Sequence, residues 1–202
     1  TKVVGSVAIG DNTFARTGST MVGSHNYNGA LGDTTVNSAS TRTDSLGVYT
    51  TTVGANSFSN GAFTTSTGAY NIISSEYNGG RMANPTKNLG ATINGSLNSI
   101  ESKTGSYYSG IANTITGVAN RTANSNGSLI YGAGNEITNS LTSLSGTPTD
   151  GGASAKDFAD SLRSSIRASQ SGGSTMAFGG GNKADYTLRT ALVGVNNTVT
   201  GT

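Results

Sequence analysis

The sequence predicts an all-β fold, a parallel β-solenoid, from a short internal repeat and a glycine-rich, weakly charged composition. The pattern Gly-x-x-Asn-x-apolar recurs along the 202 residues, and looser copies start at Gly10, Gly23 and Gly54. The six clear copies are Gly68/Asn71/Ile73, Gly95/Asn98/Ile100, Gly110/Asn113/Ile115, Gly132/Asn135/Ile137, Gly179/Asn182/Ala184 and Gly194/Asn197/Val199. A repeat of this kind indicates a chain built from stacked units.

The spacing of the glycines gives the size of one unit. Gly10 and Gly23 are 13 residues apart, Gly54 and Gly68 are 14 apart, and Gly179 and Gly194 are 15 apart. A unit of about 14 residues is too short for the common helical repeats but fits two short strands and two turns. We expect Gly to supply a positive φ at one corner and the ladder Asn to occupy the left-handed region at another.

Longer glycine steps predict insertions within one domain that spans residues 1–202. The insertions are expected at approximately 28–50, 74–90, 118–127 and 140–173. One of them contains a segment without Gly or Pro, with Phe158, Leu162 and Ile166 at a spacing of four residues. This spacing predicts one short α-helix at about 154–169, which either docks on the solenoid or forms part of a partner site.

Composition narrows the class of protein. Only 11% of the residues are charged, 30 are Gly and none is Cys. A flexible Gly/Ser/Asn-rich tract is the alternative, but Val, Ile and Leu at fixed offsets argue against it. The lack of Cys excludes disulfides. The chain has no run of basic residues that would indicate a nucleic-acid interface. It also has no apolar stretch near the roughly 18 residues that span a membrane. We predict neither nucleic-acid binding nor membrane insertion by this chain.

Runs of consecutive apolar residues precede several glycines. The residues assigned to core or trimer packing are Val7, Ile9, Met21, Val22, Leu129, Ile130, Tyr131, Met176, Phe178, Leu192 and Val193. Successive side chains of a strand point to opposite faces, so one face fills the core and the other needs a cover from outside. We therefore predict self-association of the chain, with Tyr131 in the core. A wider monomeric solenoid that covers both faces is the alternative.

The stretch Ser6-Val-Ala-Ile-Gly10, followed one unit later by Ser19-Thr-Met-Val-Gly23, resembles the head repeats of trimeric autotransporter adhesins of Gram-negative bacteria, the YadA-like heads. Leu129-Ile-Tyr-Gly132 and Leu192-Val-Gly194 look like variants of the same motif. The resemblance implies a left-handed parallel β-roll, a homotrimer and display on the bacterial surface. It also implies an outer-membrane anchor outside this chain, since neither a heptad stalk nor anchor strands are expected within it.

Candidates for catalysis or metal binding are few. His25 is the only histidine, so neither a Ser-His-Asp triad nor a multi-histidine metal site is expected. Among the acidic residues only Asp150, Asp157 and Asp160 cluster, and they surround the predicted helix start, where acids favour the helix dipole. We predict no enzymatic activity, no cofactor and no metal site.

Surface recognition remains as the expected activity, and the insertions are its expected location. Loops on a rigid scaffold commonly carry binding sites, and Arg42, Tyr49, Tyr77 and Arg81 lie in or beside them. The resemblance implies virulence-associated cell adhesion to a host protein, either collagen, fibronectin or laminin, or a receptor of the carcinoembryonic-antigen type. The alternatives are a structural fibre module, as in a phage tail fibre, and an ice- or carbohydrate-binding solenoid. The last would need Thr-x-Thr arrays in register, and none is predicted to be sustained.

Overall fold

Two parallel β-sheets dominate the computed structural model of the chain, which describes residues 5–15, 18–28, 49–61, 63–74, 88–102, 109–141, 163–164, 167 and 175–201. The strands are β1 Val7–Ile9, β2 Thr20–Ser24, β3 Thr51–Ala55, β4 Phe58–Ser59, β5 Thr65–Ala69, β6 Ile72–Ser74, β7 Thr92–Ser96, β8 Ser99–Glu101, β9 Thr114–Val118, β10 Arg121–Ala123, β11 Leu129–Ala133, β12 Glu136–Thr138, β13 Met176–Gly180, β14 Lys183–Asp185, β15 Ala191–Val195 and β16 Thr198–Thr200. The prediction of an all-β, parallel fold is confirmed.

The chain alternates between the two sheets from β3 onward. Sheet A has the order β1-β2-β3-β5-β7-β9-β11-β13-β15, and sheet B has the order β4-β6-β8-β10-β12-β14-β16. Isolated parallel bridges join Phe14 to Tyr27 and Tyr27 to Phe58, extending the line of sheet B towards the first strands. We call one sheet A strand together with the following sheet B segment a coil. This path is consistent with a β-roll or β-solenoid.

The core lies between the two sheets. It takes the second side chain of each sheet A strand from β2 to β15 and the middle side chain of the sheet B strands from β6 to β14. In sheet A these include Ile93, Ile115 and Ile130, which belong to the same buried cluster as Ile100 and Ile137 of sheet B. Full burial of one such side chain contributes about 1.5–3 kcal/mol relative to its exposure. At β3 and β4 the same inward positions hold polar residues, and Thr52 and Ser59 hydrogen-bond at 3.0 Å between their hydroxyls. The core is therefore partly polar from β3 to β5 and apolar from β6 onward, with Thr122 as an exception.

A ladder of buried asparagines joins the coils at the corner that leads from sheet A to sheet B. The amide of Asn120 donates to the carbonyl of Gly132 in the next coil at 2.7 Å and to Asn98 Oδ1 in the previous coil at 3.1 Å. Asn120 Oδ1 accepts the backbone N–H of Asn135 at 2.9 Å. The complete rung recurs at Asn98, Asn135 and Asn182, and Asn71 and the exposed Asn197 make part of these bonds at the two ends of the run. Each side chain thus satisfies buried backbone groups of its neighbours.

The glycine of each repeat is required by close backbone contact. Gly117 has a φ of +135°, and a Cβ on it would lie 1.8 Å from the carbonyl oxygen of Gly132. The second positive φ of the corner does not belong to the ladder Asn, as the sequence predicted, but to the residue before it, for example Tyr70 at +56° and Leu97 at +62°. That expectation was wrong because the role of the ladder Asn is to form side-chain hydrogen bonds, and the residue before it makes the left-handed turn.

Two positions of the predicted ladder need correction. Gly95 pairs with Gly117, not with Gly110, and the amide of the corresponding rung is Asn120 rather than Asn113. The copy Gly117-x-x-Asn120-x-Thr122 escaped the pattern because its buried inward residue is Thr122 instead of an apolar one. Gly110 and Asn113 lie at the opposite corner. There a Cβ on Gly110 would lie 1.9 Å from Asn88 Oδ1, and the Asn113 amide donates to the carbonyl of Ser125 at 2.9 Å.

The predicted insertion at 118–127 is wrong for the same reason. Residues 121–123 form β10, and the connection from Ala123 to Leu129 is short. The long step lies earlier, between β8 and β9, where Ser102 and Ser109 bound residues 103–108. The other long segments lie between Asn28 and Tyr49, between Ser74 and Asn88, and between Leu141 and Thr175.

All four long segments connect a sheet B segment to the next sheet A strand. The opposite connection, from sheet A to sheet B, always has two residues between the strands from β3 onward, as from Ala69 to Ile72. The Asn ladder occupies that invariant corner, so added chain is accommodated only at the other edge. Most of the predicted helix at about 154–169 lies outside the described residues; Arg163, Ser164 and Arg167 are helical and exposed.

Candidate interaction surface

The outer face of sheet A consists of two columns of side chains that flank the buried one. Column 1 runs Val7, Thr20, Thr51, Thr65, Thr92, Thr114, Leu129, Met176, Ala191, and column 2 runs Ile9, Val22, Val53, Thr67, Asn94, Thr116, Tyr131, Phe178, Val193. The strand alternation places both columns on the side away from the core. None of the nine described strands of sheet A contains a charged residue.

The residues predicted for core or trimer packing separate into two sets. Met21, Ile130 and Leu192 are buried between the sheets. The outward set is Val7, Ile9, Val22, Leu129, Tyr131, Met176, Phe178 and Val193. Tyr131 was predicted in the core, but it is 60% exposed because it follows the inward Ile130 by one position.

The outward apolar residues concentrate at the two ends of sheet A. Ile9 is 59% exposed at one end and Val193 is 74% exposed at the other, with Val195 beside it. We call Val7, Ile9, Val22 and Val53 the first apolar zone, and Leu129, Tyr131, Met176, Phe178 and Val193 the second. Exposed apolar runs on an uncharged sheet face make this surface a candidate interaction site.

A polar zone separates the two apolar ones. We call it the threonine band, and it consists of Thr20, Thr51, Thr65, Thr92 and Thr114 in column 1 and Thr67, Asn94 and Thr116 in column 2. Within the described part of the chain, none of the threonine hydroxyls of this band has a hydrogen-bond partner. Five threonines are thus in register in one column, while Thr-x-Thr occurs in sheet A only on β5 and β9, which β7 with Asn94 separates. As the sequence analysis expected, no Thr-x-Thr array is sustained over consecutive coils.

Sheet B presents the opposite character, because charged residues lie on its outer face. Arg121 bonds Glu101 through Nη2 at 2.7 Å and Nε at 3.0 Å, and Glu136 through Nη1 at 3.1 Å. These hydrogen bonds, above all the one with Glu101, raise the pKa of Arg121. All three side chains remain about 40% exposed, so the ion pairs stabilise the sheet only modestly.

A shallow groove of about 380 Å³ lies beside this cluster, lined in part by Glu101, Asn124 and Asp185. Asp185 Oδ1 accepts hydrogen bonds from the Thr138 hydroxyl at 2.7 Å and the Asn139 amide at 2.9 Å. These two bonds lower the pKa of the Asp185 carboxyl below its ordinary value. The sequence analysis missed the cluster because the register error at β9 hid that Glu101, Arg121 and Glu136 are neighbours.

Of the predicted partner-binding residues, Arg42, Tyr77 and Arg81 lie outside the described residues. Tyr49 is described: its ring stacks on Phe63 with centroids 5.4 Å apart, and it lies against Gly18, where a Cβ would approach the ring to 2.5 Å. Tyr49 therefore has a packing role at the corner from which the long segments leave. It also remains partly exposed there.

No group of three or more His, Cys, Asp or Glu that can hold a metal ion occurs in the described part of the chain. His25 lies at a left-handed corner, and its Nδ1 is 2.7 Å from Ser24 Oγ. No helix among the described residues is long and apolar enough to cross a membrane. Comparisons with protein-family models, with curated proteins and with solved structures each returned no match.

Proposed function

We propose that the chain is the head of a bacterial surface adhesin, a left-handed parallel β-roll with coils of about 14 residues that assembles as a homotrimer. The observation that carries the proposal is the uncharged outer face of sheet A with exposed apolar residues at both ends. Around a three-fold axis each side chain on the face meets its own copy, so a charge there would face a like charge. The register pairs Val7↔Thr20, Thr51↔Thr65 and Met176↔Ala191 support the coil size.

Light scattering tests the assembly directly. The expected mass is three times the 20.2 kDa of one chain at micromolar concentration. A mass of a single chain under those conditions would sink the trimer and the surface assigned to it.

Attachment to host cells or matrix follows as the activity of such a head. The proposed partner is an extracellular host protein, either a matrix protein such as collagen, fibronectin or laminin or a cell-adhesion receptor of the carcinoembryonic-antigen type. The support is that the long segments all leave from one edge of the stack, where they are free of the Asn ladder. Three copies of that edge would turn a modest single-site affinity into avidity. The head would be held at the outer membrane by a region other than these residues.

A binding screen of the purified protein against human extracellular proteins tests this activity. We expect one partner to bind, and we expect deletion of residues 33–45 or 75–86, which contain Arg42, Tyr77 and Arg81, to abolish binding while the mass stays unchanged. Binding that survives both deletions would place the site elsewhere. A screen without any partner would instead favour a structural fibre module.

The threonine band favours a second candidate function, ice binding. The five threonines of column 1 form one row of hydroxyls about 4.8 Å apart from strand to strand, and Thr67 and Thr116 add a second hydroxyl on β5 and β9. Such a row can order water. This function requires the outer face of sheet A to be open to solvent, so it excludes assembly through that face. A single-chain mass together with inhibition of ice recrystallisation would favour it over the adhesin head.

A further inference from the structure

The outer face of sheet A has a polar centre between two apolar ends, although a uniformly apolar face would cover more surface. The threonine band occupies consecutive strands from β2 to β9, and its hydroxyls point away from the core. Self-association would remove these hydroxyls from water unless they meet polar groups of the other chains. The position of the polar band at the centre of the face therefore needs an explanation.

A stacked parallel sheet repeats itself every 4.7–4.9 Å along its axis. Two such faces can pack with no offset, or with one chain displaced by one strand, and a displacement loses contact at only one of the nine strands of sheet A. If every strand carried the same apolar residues, these arrangements would be close in free energy. A repetitive face thus associates readily but leaves its axial register poorly specified.

The threonine band removes this ambiguity because its border with the second apolar zone, between β9 and β11, is abrupt in both columns. Without an offset, the hydroxyl of Thr114 meets Thr114 of the other chains and Leu129 meets Leu129. With an offset of one strand, Thr114 faces Leu129 and Thr116 faces Tyr131, the residues that follow them in register. A hydroxyl buried against an apolar side chain loses its water without gaining a partner. Polar layers fix the register of coiled coils by the same physics.

We infer that the threonine band sets the axial register of the trimer, so that the three coils at each level lie at the same height. This inference rests on the proposed self-association through sheet A. It assigns the band a role in specificity rather than in strength of association. The apolar zones hold the chains together, and the band selects one of several offsets.

Disulfide trapping measures the register, since the chain has no Cys to interfere. Phe178 and Val193 are direct register neighbours in column 2. Chains with Val193→Cys and chains with Phe178→Cys, distinguished by a mass tag, are refolded together and oxidised. A disulfide forms only when the Cα atoms approach within about 7 Å, so a 193–193 link reports the unshifted trimer and a 178–193 link reports a shift of one strand.

The band variant carries Thr65→Val, Thr67→Val, Thr92→Val, Thr114→Val and Thr116→Val, which keep the shape and remove the hydroxyls. With the native band we expect 193–193 links to exceed 178–193 links by at least about tenfold, since buried unpartnered hydroxyls oppose the shift. In the band variant the two links should approach equal amounts. The matched control is Thr198→Val with Thr200→Val, the same chemical change on the outer face of sheet B, and it should leave the native ratio unchanged.

The outcomes separate the inference from the proposed function. A band variant that forms trimers with the native ratio of links overturns the register role and leaves the trimer intact. A native protein with the mass of one chain and neither link overturns both. A shifted link that is as abundant with the native band as without it also contradicts the inference.

Discussion

At the scale of single residues, glycine and asparagine act as a pair at each ladder corner. The glycine lets two carbonyl-bearing backbones approach, and the asparagine amide bonds the carbonyl that this approach exposes. Neither residue can be replaced without loss to the other: a Cβ at Gly68 would lie 1.7 Å from the Gly95 carbonyl oxygen, which Asn71 bonds at 2.7 Å. Gly is therefore needed at this corner for two reasons: it adopts a positive φ without strain, and it has no side chain to clash with the neighbouring carbonyl.

Substitution of Gly117 tests this account. Gly117→Ala places a methyl group against the Gly132 carbonyl at a φ of +135°, and we expect a loss of about 3 kcal/mol or more in the free energy of unfolding. Gly90→Ala is the matched control, because Gly90 also has a positive φ, +67°, but open space where the Cβ would lie. Its expected cost is about 1–2 kcal/mol. Urea unfolding followed by circular dichroism measures both, and equal losses would contradict the close-contact explanation.

At the scale of strands, the sequence predicted most of the fold because few residue types fit the inward and corner positions. The inward positions need a side chain that packs in the core, and the corner positions need Gly or Asn. Ile93, Ile130 and Ile137 could be placed from their offset to a ladder glycine. The error at Gly110 arose because the inward position of β10 holds a polar residue, Thr122, whose hydroxyl accepts a hydrogen bond from the Asn113 amide at 3.2 Å. The outward positions accept many residue types. The threonine band and the Arg121 cluster therefore could not be predicted until the register of each strand was known.

The hydrogen bonds of Asp185 give the outer face of sheet B a pH dependence. Since they lower the pKa of the folded-state carboxyl, they add stability above the ordinary carboxyl pKa, and this stability is lost as the pH falls through the lowered value. We expect Asp185→Asn to reduce the melting temperature at pH 7 and to match the parent protein well below about pH 4. Asp11→Asn is the control, since only the backbone carbonyl of Asp11 accepts a hydrogen bond. A difference that stays constant from pH 7 to pH 2.5 would contradict this assignment.

At the scale of the whole molecule, the two sheets differ in the charge of their outer faces. The outer face of sheet A is uncharged, and sheet B carries Arg121, Glu136 and Lys183 in adjacent register positions. The edge from which the long segments leave lies between these faces. Assembly through sheet A would leave the charged face and that edge open to solvent and to a host protein.

A single charge on each face tests this division. In the proposed trimer Val193→Lys would bring three ammonium groups together around the axis, and we expect the mass from light scattering to fall from three chains to one at micromolar concentration. Thr200→Lys adds the same charge to sheet B beside Asp185, its register neighbour, and should leave the mass unchanged. If both variants keep the native mass, the outer face of sheet A is not the interface.

The asparagine ladder has an electrical consequence as well as a structural one. From Asn71 to Asn182 every ladder Oδ1 accepts the backbone N–H of the next ladder Asn, and the last of these donors is Asn197. The side-chain carbonyls of the run therefore all point the same way along the stack. Aligned hydrogen-bonded dipoles polarise one another and strengthen each bond. The stack therefore resembles a helix in having two electrically different ends: a coil added after Asn197 would meet a bare acceptor, and one added at the other end would meet none.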